Sequence, residues 1–445
     1  MRVGIIGAGI SGLVVAHQLQ KAGIQHDLYE QADFPGGNIK SVRIKNYVLE
    51  MGPNSLLLTP EIEKLIRELK LEPEVVEANP VSGTRYIFRD GRYRRLPDSP
   101  LKLMADTYFH FKTKYRLLQE RFLPPKPVNP HETISQFFER RFGREVLDYA
   151  VSPFVMGIFA GDPDQLLINK TFPKLVKYEQ VYGSVQKGLL KDPPKRRKTI
   201  SFKNGLQTLP LALGSKLLGL QTGYPVEMVT KSHGKYIIST TSPDYVPREY
   251  DVLVMAIPAH KATPLLEYTF PGLAAALRNV NYPPVAVVHT VYKKASVGFS
   301  LKGFGALHPK KENLFSAGVI WNSSIFPNRC PDDEVLFTTF VGGTPFAENT
   351  RRPRMEILKG VHEELKRNYQ ISAERPVYQH FYLWHQAIPQ YDLYIEDAQQ
   401  FAKTLETDNV FIAANWCSGV SIQHCVKRGL KVAKKIQELA SAQTA

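Results

Sequence analysis

The sequence predicts an α/β protein: a Rossmann-like dinucleotide-binding domain assembled from discontinuous segments, an inserted mixed-sheet substrate domain, and a helical subdomain of membrane-type or substrate-lid character. Three observations carry this reading. A buried strand, a glycine-rich turn and a helix open the chain; a second strand, turn and helix close it; and the long middle of the 445 residues alternates short apolar strands with amphipathic helices. A chain of that length exceeds what one core organises, so separate domains are expected.

Residues 3–6 are apolar and read as a buried strand, residues 13–22 as a helix, and between them lies Gly7-Ala8-Gly9-Ile10-Ser11-Gly12. In such a turn the first glycine permits the tight bend, the second lets backbone approach a pyrophosphate, and the third lets helix and strand pack closely. Gly7, Gly9 and Gly12, with Ile10 and Ser11 opening the helix, are therefore expected to hold a dinucleotide at the helix N-terminus. A second strand at 26–29 ends in Glu30, eighteen residues past Gly12, where a carboxylate accepts hydrogen bonds from ribose hydroxyls. Phe34-Pro35-Gly36-Gly37-Asn38 follows. A nicotinamide dehydrogenase needs no glycine pair just beyond the ribose acid. Flavoproteins of the amine oxidase and desaturase superfamily place one there, with backbone running beside the diphosphate and ribityl chain, so FAD rather than NAD is expected.

Alternation across 41–49 around Lys45-Asn46 predicts a hairpin leading into Glu50-Met51-Gly52-Pro53-Asn54-Ser55. Residues 61–69 read as a helix and 86–96 as a hairpin turning at Asp90-Gly91. Leu101, Met104, Tyr108, Phe111, Tyr115, Leu118 and Phe122 recur at spacings of three and four, which predicts one helical face. Residues 85–126 hold eleven Lys/Arg against four Asp/Glu, nearly half of the chain's net charge of +15. A basic amphipathic helix with aromatics reads either as a surface for anionic membrane or as a face packed on the core or on a second copy in a homodimer. After a proline-rich break at 124–130, helices are expected at 133–142 and near 146–155, and Lys195-Arg196-Arg197-Lys198 reads as a solvated charge run. Strands are expected within 226–239 and at 252–257, 285–292, 315–321, 335–341 and 377–383, with a helix at 355–369. The chain closes with a strand at 410–413, a turn at 415–419 and a helix at 422–439. Amides at the start of that helix can face the pyrimidine end of an isoalloxazine, where a helix terminus contributes roughly 0.3 to 1 kcal/mol to a gathering negative charge.

Hydrophobic content of 43% and charged content of 22% are those of an ordinary globular protein. No apolar run approaches the roughly 18 to 20 residues of a membrane span, and the opening strand is no signal peptide, so a cytoplasmic chain is expected, peripheral on the inner face of the cell membrane if the basic helix meets lipid. The positive excess calls for an anionic partner of a class that composition alone does not choose. Cys330, Cys417 and Cys425 form no CxxC and no His/Cys cluster at metal spacing, so neither disulfides nor a metal are expected. No Ser-His-Asp, Cys-His or paired-carboxylate arrangement stands at readable spacing; His380 and His385, flanking Trp384, read as core or pocket-lining residues.

From end to end the chain resembles the oxygen-dependent, FAD-containing protoporphyrinogen oxidases. The likeness is carried in order by residues 7–12, Glu30, Gly36-Gly37, residues 50–55, Arg85-Tyr86-Ile87-Phe88-Arg89-Asp90-Gly91, residues 151–173 (VSPFVMGIFAGDPDQLLINKTFP), residues 201–209 (SFKNGLQTL), residues 256–259, Ile388-Pro389-Gln390-Tyr391 and residues 415–425. The GPNS, GxxAGD and SFxxG segments separate this family from general amine oxidases. The resemblance implies three two-electron oxidations of protoporphyrinogen IX to protoporphyrin IX in haem or chlorophyll synthesis, with non-covalent FAD as hydride acceptor and dioxygen reduced to hydrogen peroxide. No catalytic side chain and no nucleic-acid partner are implied. Arg85 would pair with a substrate propionate, Gly157 would bring backbone near the macrocycle, and Phe159 would form a wall. Gly36, Gly37, Asn38, Gly52, Pro53, Asn54 and Ser55 would line FAD, Val226 would meet the adenine through its backbone, and Trp416, Val420, Ser421 and Ile422 would surround the flavin. The FAD-binding domain is expected over 1–80, 199–265 and 389–445, the helical substrate and membrane-association subdomain over 81–198, and the mixed-sheet substrate domain over 266–388.

Departures from the family pattern are Asn38 where arginine or tryptophan is common, Ala414 where glycine is common, and Tyr394-Ile395 in place of a Gly-His pair. The spacing of Cys417 to the final helix differs from that of covalent amine oxidases, which argues against a flavin–cysteine bond. Rival readings are coproporphyrinogen III oxidation to coproporphyrin III, an amine oxidase or carotenoid desaturase of the same superfamily, and a flavin-binding assembly protein without turnover.

Overall fold

The computed structural model describes residues 1–97 and 100–444. Alternate residues of the opening strand Arg2–Ile6 are apolar on both faces, and both faces are covered: Val3 and Ile5 belong to one buried cluster, Ile6 to another. This is what a parallel sheet requires. Five parallel strands form it, in the order Leu220–Thr222, Gln25–Glu30, Arg2–Ile6, Val252–Met255 and Val410–Ile412. On the first face lie helices Ile10–Lys21 and Ile422–Thr444. They approach closely because position 429 is glycine: a Cβ there would stand 2.8 Å from the Ser11 carbonyl oxygen and 3.0 Å from the Val14 side chain. On the second face, Tyr29, Leu253, Met255 and Ile412 pack on a three-stranded antiparallel sheet, Val226–Ser232, Lys235–Thr240 and Arg248–Tyr250, and on helices Ala259–Leu266, Pro271–Arg278 and Ile395–Thr404. Each Leu or Val fully buried in these layers contributes about 1.5 to 3 kcal/mol.

A second sheet has seven strands, ordered Tyr378–Trp384, Val285–Lys293, Glu334–Gly342, Gly318–Trp321, Gly305–Leu307, Arg85–Arg89 and Arg92–Arg95. It is mixed: Gly305–Leu307 runs parallel to Arg85–Arg89, and the other pairs are antiparallel. The hairpin grouped by sequence with the helical stretch is thus an edge of this sheet, recruited by a strand far along the chain. Its turn is where the sequence put it, with Asp90 at φ 52° and Gly91 at φ 75°. Helix Arg354–Asn368 covers one face over Ala286, Val288 and Phe337, and Val287, His289 and Val291 occupy the other.

Helix Ile134–Phe142 begins with a capping box, Thr133 and Gln136 each bonding the other's backbone amide. The single helix predicted over 101–122 is instead two, Pro100–Ala105 and Phe111–Gln119, followed by the 3-10 turn Glu120–Phe122. A local turn and two tertiary bonds break it: Asp106 Oδ1 accepts from Tyr108 N (2.7 Å), Arg89 Nη1 donates to Tyr108 O (2.5 Å), and Tyr108 Oη donates to Tyr149 O (2.6 Å). Tyr108 is therefore buried, whereas Phe111, Phe122, Tyr115 and Leu118 are 83%, 81%, 55% and 47% exposed, so one predicted face is split between core and surface. The side chain of Leu101 lies outside the described ones. Residues 195–198 are exposed, and the expected turn at 415–419 contains a short helix, Asn415–Ser418. No helix among the described residues is long and apolar enough to cross a membrane.

Candidate cofactor and substrate site

Each glycine of the opening turn has a distinct steric reason. Gly7 adopts φ +99°, and a Cβ there would meet Ile257 at 2.4 Å; a Cβ on Gly12 would stand 2.0 Å from the Gly7 carbonyl oxygen. Around Gly9 nothing lies within 4 Å of a Cβ position, so this glycine leaves open space instead of accommodating a protein neighbour. Gly36-Gly37 lies against that open face: Gly36 N donates to Ala8 O (2.9 Å), and a Cβ on Gly37 would stand 3.3 Å from Gly9 Cα. Glu30 closes the far end, Oε2 accepting from Ala8 N (2.9 Å) and Oε1 from Ala32 N (3.0 Å). Both oxygens retain acceptor capacity for a diol. Val226 begins the strand two residues after Tyr224, whose amide donates to Glu30 O (2.9 Å). An open glycine cradle, helix amides and a carboxylate fit the pyrophosphate and ribose of FAD.

The next segment is fixed by groups the motifs did not single out. A Cβ on Gly52 would collide with Asn38 O at 2.0 Å, so the two predicted lining segments touch only because 52 is glycine. Asn38 Nδ2 donates to Ala387 O (3.4 Å). Asn54 Nδ2 donates to Gly52 O (3.1 Å), and its Oδ1 accepts from Asn322 Nδ2 (2.7 Å); Pro53 and Ser55 flank it, half-buried. The preceding carbonyls are held from the seven-stranded sheet: His289 Nε2 donates to Glu50 O (3.1 Å) and Trp384 Nε1 to Met51 O (2.7 Å). Burial lowers the His289 pKa to about 3, so the ring is neutral and its Nε2 carries the proton. The Glu50 carboxyl accepts from Ser41 Oγ (2.5 Å) and Leu206 N (2.9 Å), with the Arg329 guanidinium at 3.7 Å. Burial raises its pKa to about 7 against the opposing pull of Arg329, Ser41 and the Leu206 amide.

At the carboxyl end, Trp416 is wholly buried and its indole donates to Ile257 O (3.2 Å), so its ring is part of the core beside the parallel sheet. Ser421 caps the last helix, its Oγ accepting from His424 N (3.3 Å), and Ile422 packs into the core of the parallel sheet. Val420 packs instead with Phe159 and Tyr391 in the helical core. Tyr391 Oη accepts from Gly419 N (2.5 Å) and donates to Asn415 O, bracing the turn between strand and helix.

Phe159 is buried, 5.9 Å from the Phe172 ring, and Gly157 is exposed with Leu307 Cδ2 3.1 Å from a Cβ position. Leu307 pairs with Ile87 in the sheet, two residues along the strand from Arg85 and on the same face, which places Arg85 on the side of the sheet that meets the helical core. The Arg85 guanidinium stacks over Phe304, 5.0 Å from the ring centre, and has no carboxylate partner among the described residues. It is solvent-accessible yet crowded by protein, and burial lowers its pKa. Sequence reasoning missed Glu50 as a carboxyl anchor, His289 as a backbone donor, and any task for Gln390 and Tyr391; only the family-like PQY segment signalled the last two.

The profile of the flavin containing amine oxidoreductases matches residues 10–437. The chain is 30% identical to protoporphyrinogen oxidase 2 of Arabidopsis thaliana over 97% of this chain and 93% of that one. It is 26% identical to the coproporphyrinogen III oxidase of Bacillus subtilis over 96% and 95%. A crystal structure from Exiguobacterium sp. superposes over 98% of both chains at a TM-score of 0.82 with 20% identity, a likeness of fold. With the open glycine turn, the Glu30 carboxylate beside it and a family match along nearly the whole chain, the protein belongs to the flavin-containing amine oxidoreductases, in the group of the protoporphyrinogen oxidases, and is an FAD-dependent oxidase.

Proposed function

We propose that the chain oxidises protoporphyrinogen IX to protoporphyrin IX, with three molecules of dioxygen taking six electrons and six protons to give three of hydrogen peroxide. The observation that carries the substrate class is Arg85: a solvent-accessible guanidinium with no carboxylate partner among the described residues, on the sheet face it shares with Ile87 and Leu307 of the cluster that holds Phe159, suits a flat apolar macrocycle bearing a carboxylate. Bound FAD, held non-covalently by the residues described above, supplies the hydride acceptor. The protein's part is orientation and exclusion of water. Arg85 pairs with a propionate and sets the rotation of the ring; Gly157 lets the macrocycle approach backbone; Phe159 limits its travel. Protons from the pyrrole nitrogens pass to water, so no acid–base side chain is required. The likeness to both protoporphyrinogen and coproporphyrinogen oxidases supports the porphyrinogen class, and the two substrates differ by propionate against vinyl at two positions.

Porphyrin fluorescence of the FAD-loaded chain, followed separately on protoporphyrinogen IX and coproporphyrinogen III with peroxide counted, tests this. A higher kcat/KM on protoporphyrinogen IX is expected; preference for the other substrate overturns the assignment, and no gain with either sinks the porphyrinogen reading. In the same assay Arg85→Ala should raise KM about tenfold with kcat within twofold, because a propionate contact is equally present in ground and transition states.

We also propose that Phe111, Tyr115, Leu118 and Phe122, exposed among Lys112, Lys114, Arg116 and Arg121, bind an anionic membrane surface. Such binding joins apolar insertion to charge attraction. Sedimentation with vesicles containing a third phosphatidylglycerol should be strong at low salt and fall as salt rises. No sedimentation, together with a salt-insensitive dimer, would assign the face to a second copy of the chain.

A further inference from the structure

We propose that Tyr391 is a positioning residue that couples the macrocycle wall to the cofactor turn, its hydroxyl fixing residues 415–419 and its ring standing in one packed cluster with Phe159. The proposal rests on the reading that Phe159 lines the substrate and that the 415–422 segment borders the flavin.

The geometry is that of a clamp gripping two segments distant in sequence. The hydroxyl is buried and its hydrogen-bonding is fully engaged: it accepts from Gly419 N at 2.5 Å and donates to Asn415 O. Those two groups lie at the opposite ends of the turn that leaves strand Val410–Ile412 and enters helix Ile422–Thr444. A phenol can donate and accept at once, so one oxygen ties an amide and a carbonyl that phenylalanine would leave unpaired. Gly419, at φ +113°, has the His424 ring 2.6 Å from where a Cβ would stand, so the turn admits no larger residue there without moving that ring.

Tyr391 and its neighbour Gln390 hold the substrate side. Tyr391 and Phe159 have ring centres 6.4 Å apart. Gln390 Nε2 donates to Phe159 O (2.9 Å), and a Cβ on Gly161 would meet Gln390 Oε1 at 2.4 Å, so the amide closes tightly on the segment following Gly157. The Tyr391 carbonyl accepts from Leu167 N (2.9 Å), and Gln390 N donates to Asn281 O (2.9 Å), which fixes the pair itself to two further segments. A displacement of Phe159 by a macrocycle is therefore passed to the ring, and through its hydroxyl to the turn. Burial holds the phenol far above its ordinary pKa, so both bonds persist across the working pH range.

FAD titration of the apoprotein tests the coupling without any porphyrinogen, so its failure and that of the substrate reading are separable. Tyr391→Phe, which keeps the ring, should weaken FAD binding about tenfold, as two lost hydrogen bonds predict. Phe159→Leu should weaken it about threefold in the wild-type background and have no effect in the Tyr391→Phe background. Apoprotein circular dichroism should match the wild type in all three variants. FAD affinity of Tyr391→Phe within twofold of wild type, or effects that simply multiply in the double variant, would overturn the proposal.

Discussion

Gly12→Ala is expected to purify without FAD and to raise the dissociation constant for added FAD at least about 100-fold, or about 2.7 kcal/mol. The added methyl would stand 2.0 Å from the Gly7 carbonyl oxygen and 3.1 Å from Ala256 Cβ, and neither neighbour is a flexible side chain that can turn aside. The backbone of the 7–12 turn must move, and with it the helix amides that face the phosphates. The informative control is Gly9→Ala, whose methyl meets nothing within 4 Å. That variant should keep the apoprotein's thermal midpoint while still losing cofactor, because the space it fills belongs to the ligand. Gly12→Ala should lower both. FAD fluorescence titration and apoprotein melting, run on the pair, separate a fold defect from an occupied site; full FAD retention by Gly12→Ala would remove the pyrophosphate from this turn.

What the sequence made legible was local. A G-x-G-x-x-G turn between strand and helix declares its geometry because only glycine fits at Gly7 and Gly12, and Asp90-Gly91 declares a hairpin because both residues take positive φ. Four strands of the seven-stranded sheet were visible as apolar runs and two more as a hairpin, but the short strand Gly305–Leu307 and its partnership with Arg85–Arg89 were not, since pairing between distant segments leaves no mark on either. The helical face from Leu101 to Phe122 failed for the same reason. Its periodicity was real, but the first helix stops at Ala105, and Arg89 reaches from the hairpin to the carbonyl of Tyr108 in the bend that follows. Trp416 was read as a flavin neighbour, and its place as a core indole bonded to Ile257 was not legible. Tyr391 sits outside any periodic element, and its partners Asn415 and Gly419 are 24 and 28 residues away, so only folding brings the clamp together.

Arg141→Ala is expected to destabilise the helical region by about 3 to 5 kcal/mol, the range for removing one partner of a buried ion pair. Arg141 is 1% exposed and its partner Glu120 is fully buried. The guanidinium donates through Nε to Glu120 Oε1 (2.8 Å) and also to the carbonyls of Leu123 (3.3 Å), Pro124 (3.2 Å) and Gly183 (3.1 Å). Glu120 in turn accepts from Ser184 Oγ (2.6 Å), Val185 N (3.0 Å) and Gln186 N (3.2 Å), so one carboxylate both neutralises the arginine and caps helix Val185–Lys191. Removing the arginine leaves that carboxylate without its counter-ion in the interior and takes a donor from four carbonyls, that of Glu120 included. Glu179 loses the longer contact from Arg141 Nη1 (3.4 Å) but stays paired to Arg140 at 2.6 Å, so the greater damage falls on the Glu120 side. Because unfolding of a chain with several cores is not a single transition, pulse proteolysis with cleavage sites mapped to residues 111–191 is the measurement, and a loss below about 1 kcal/mol would contradict the network's importance. Adding Glu120→Gln to Arg141→Ala should recover at least about 1 kcal/mol, since the amide oxygen still caps Val185 while the isolated charge is gone. The same variant should lose vesicle binding before it loses FAD, because the network anchors the segment carrying Phe111 and Phe122 and touches no part of the glycine cradle.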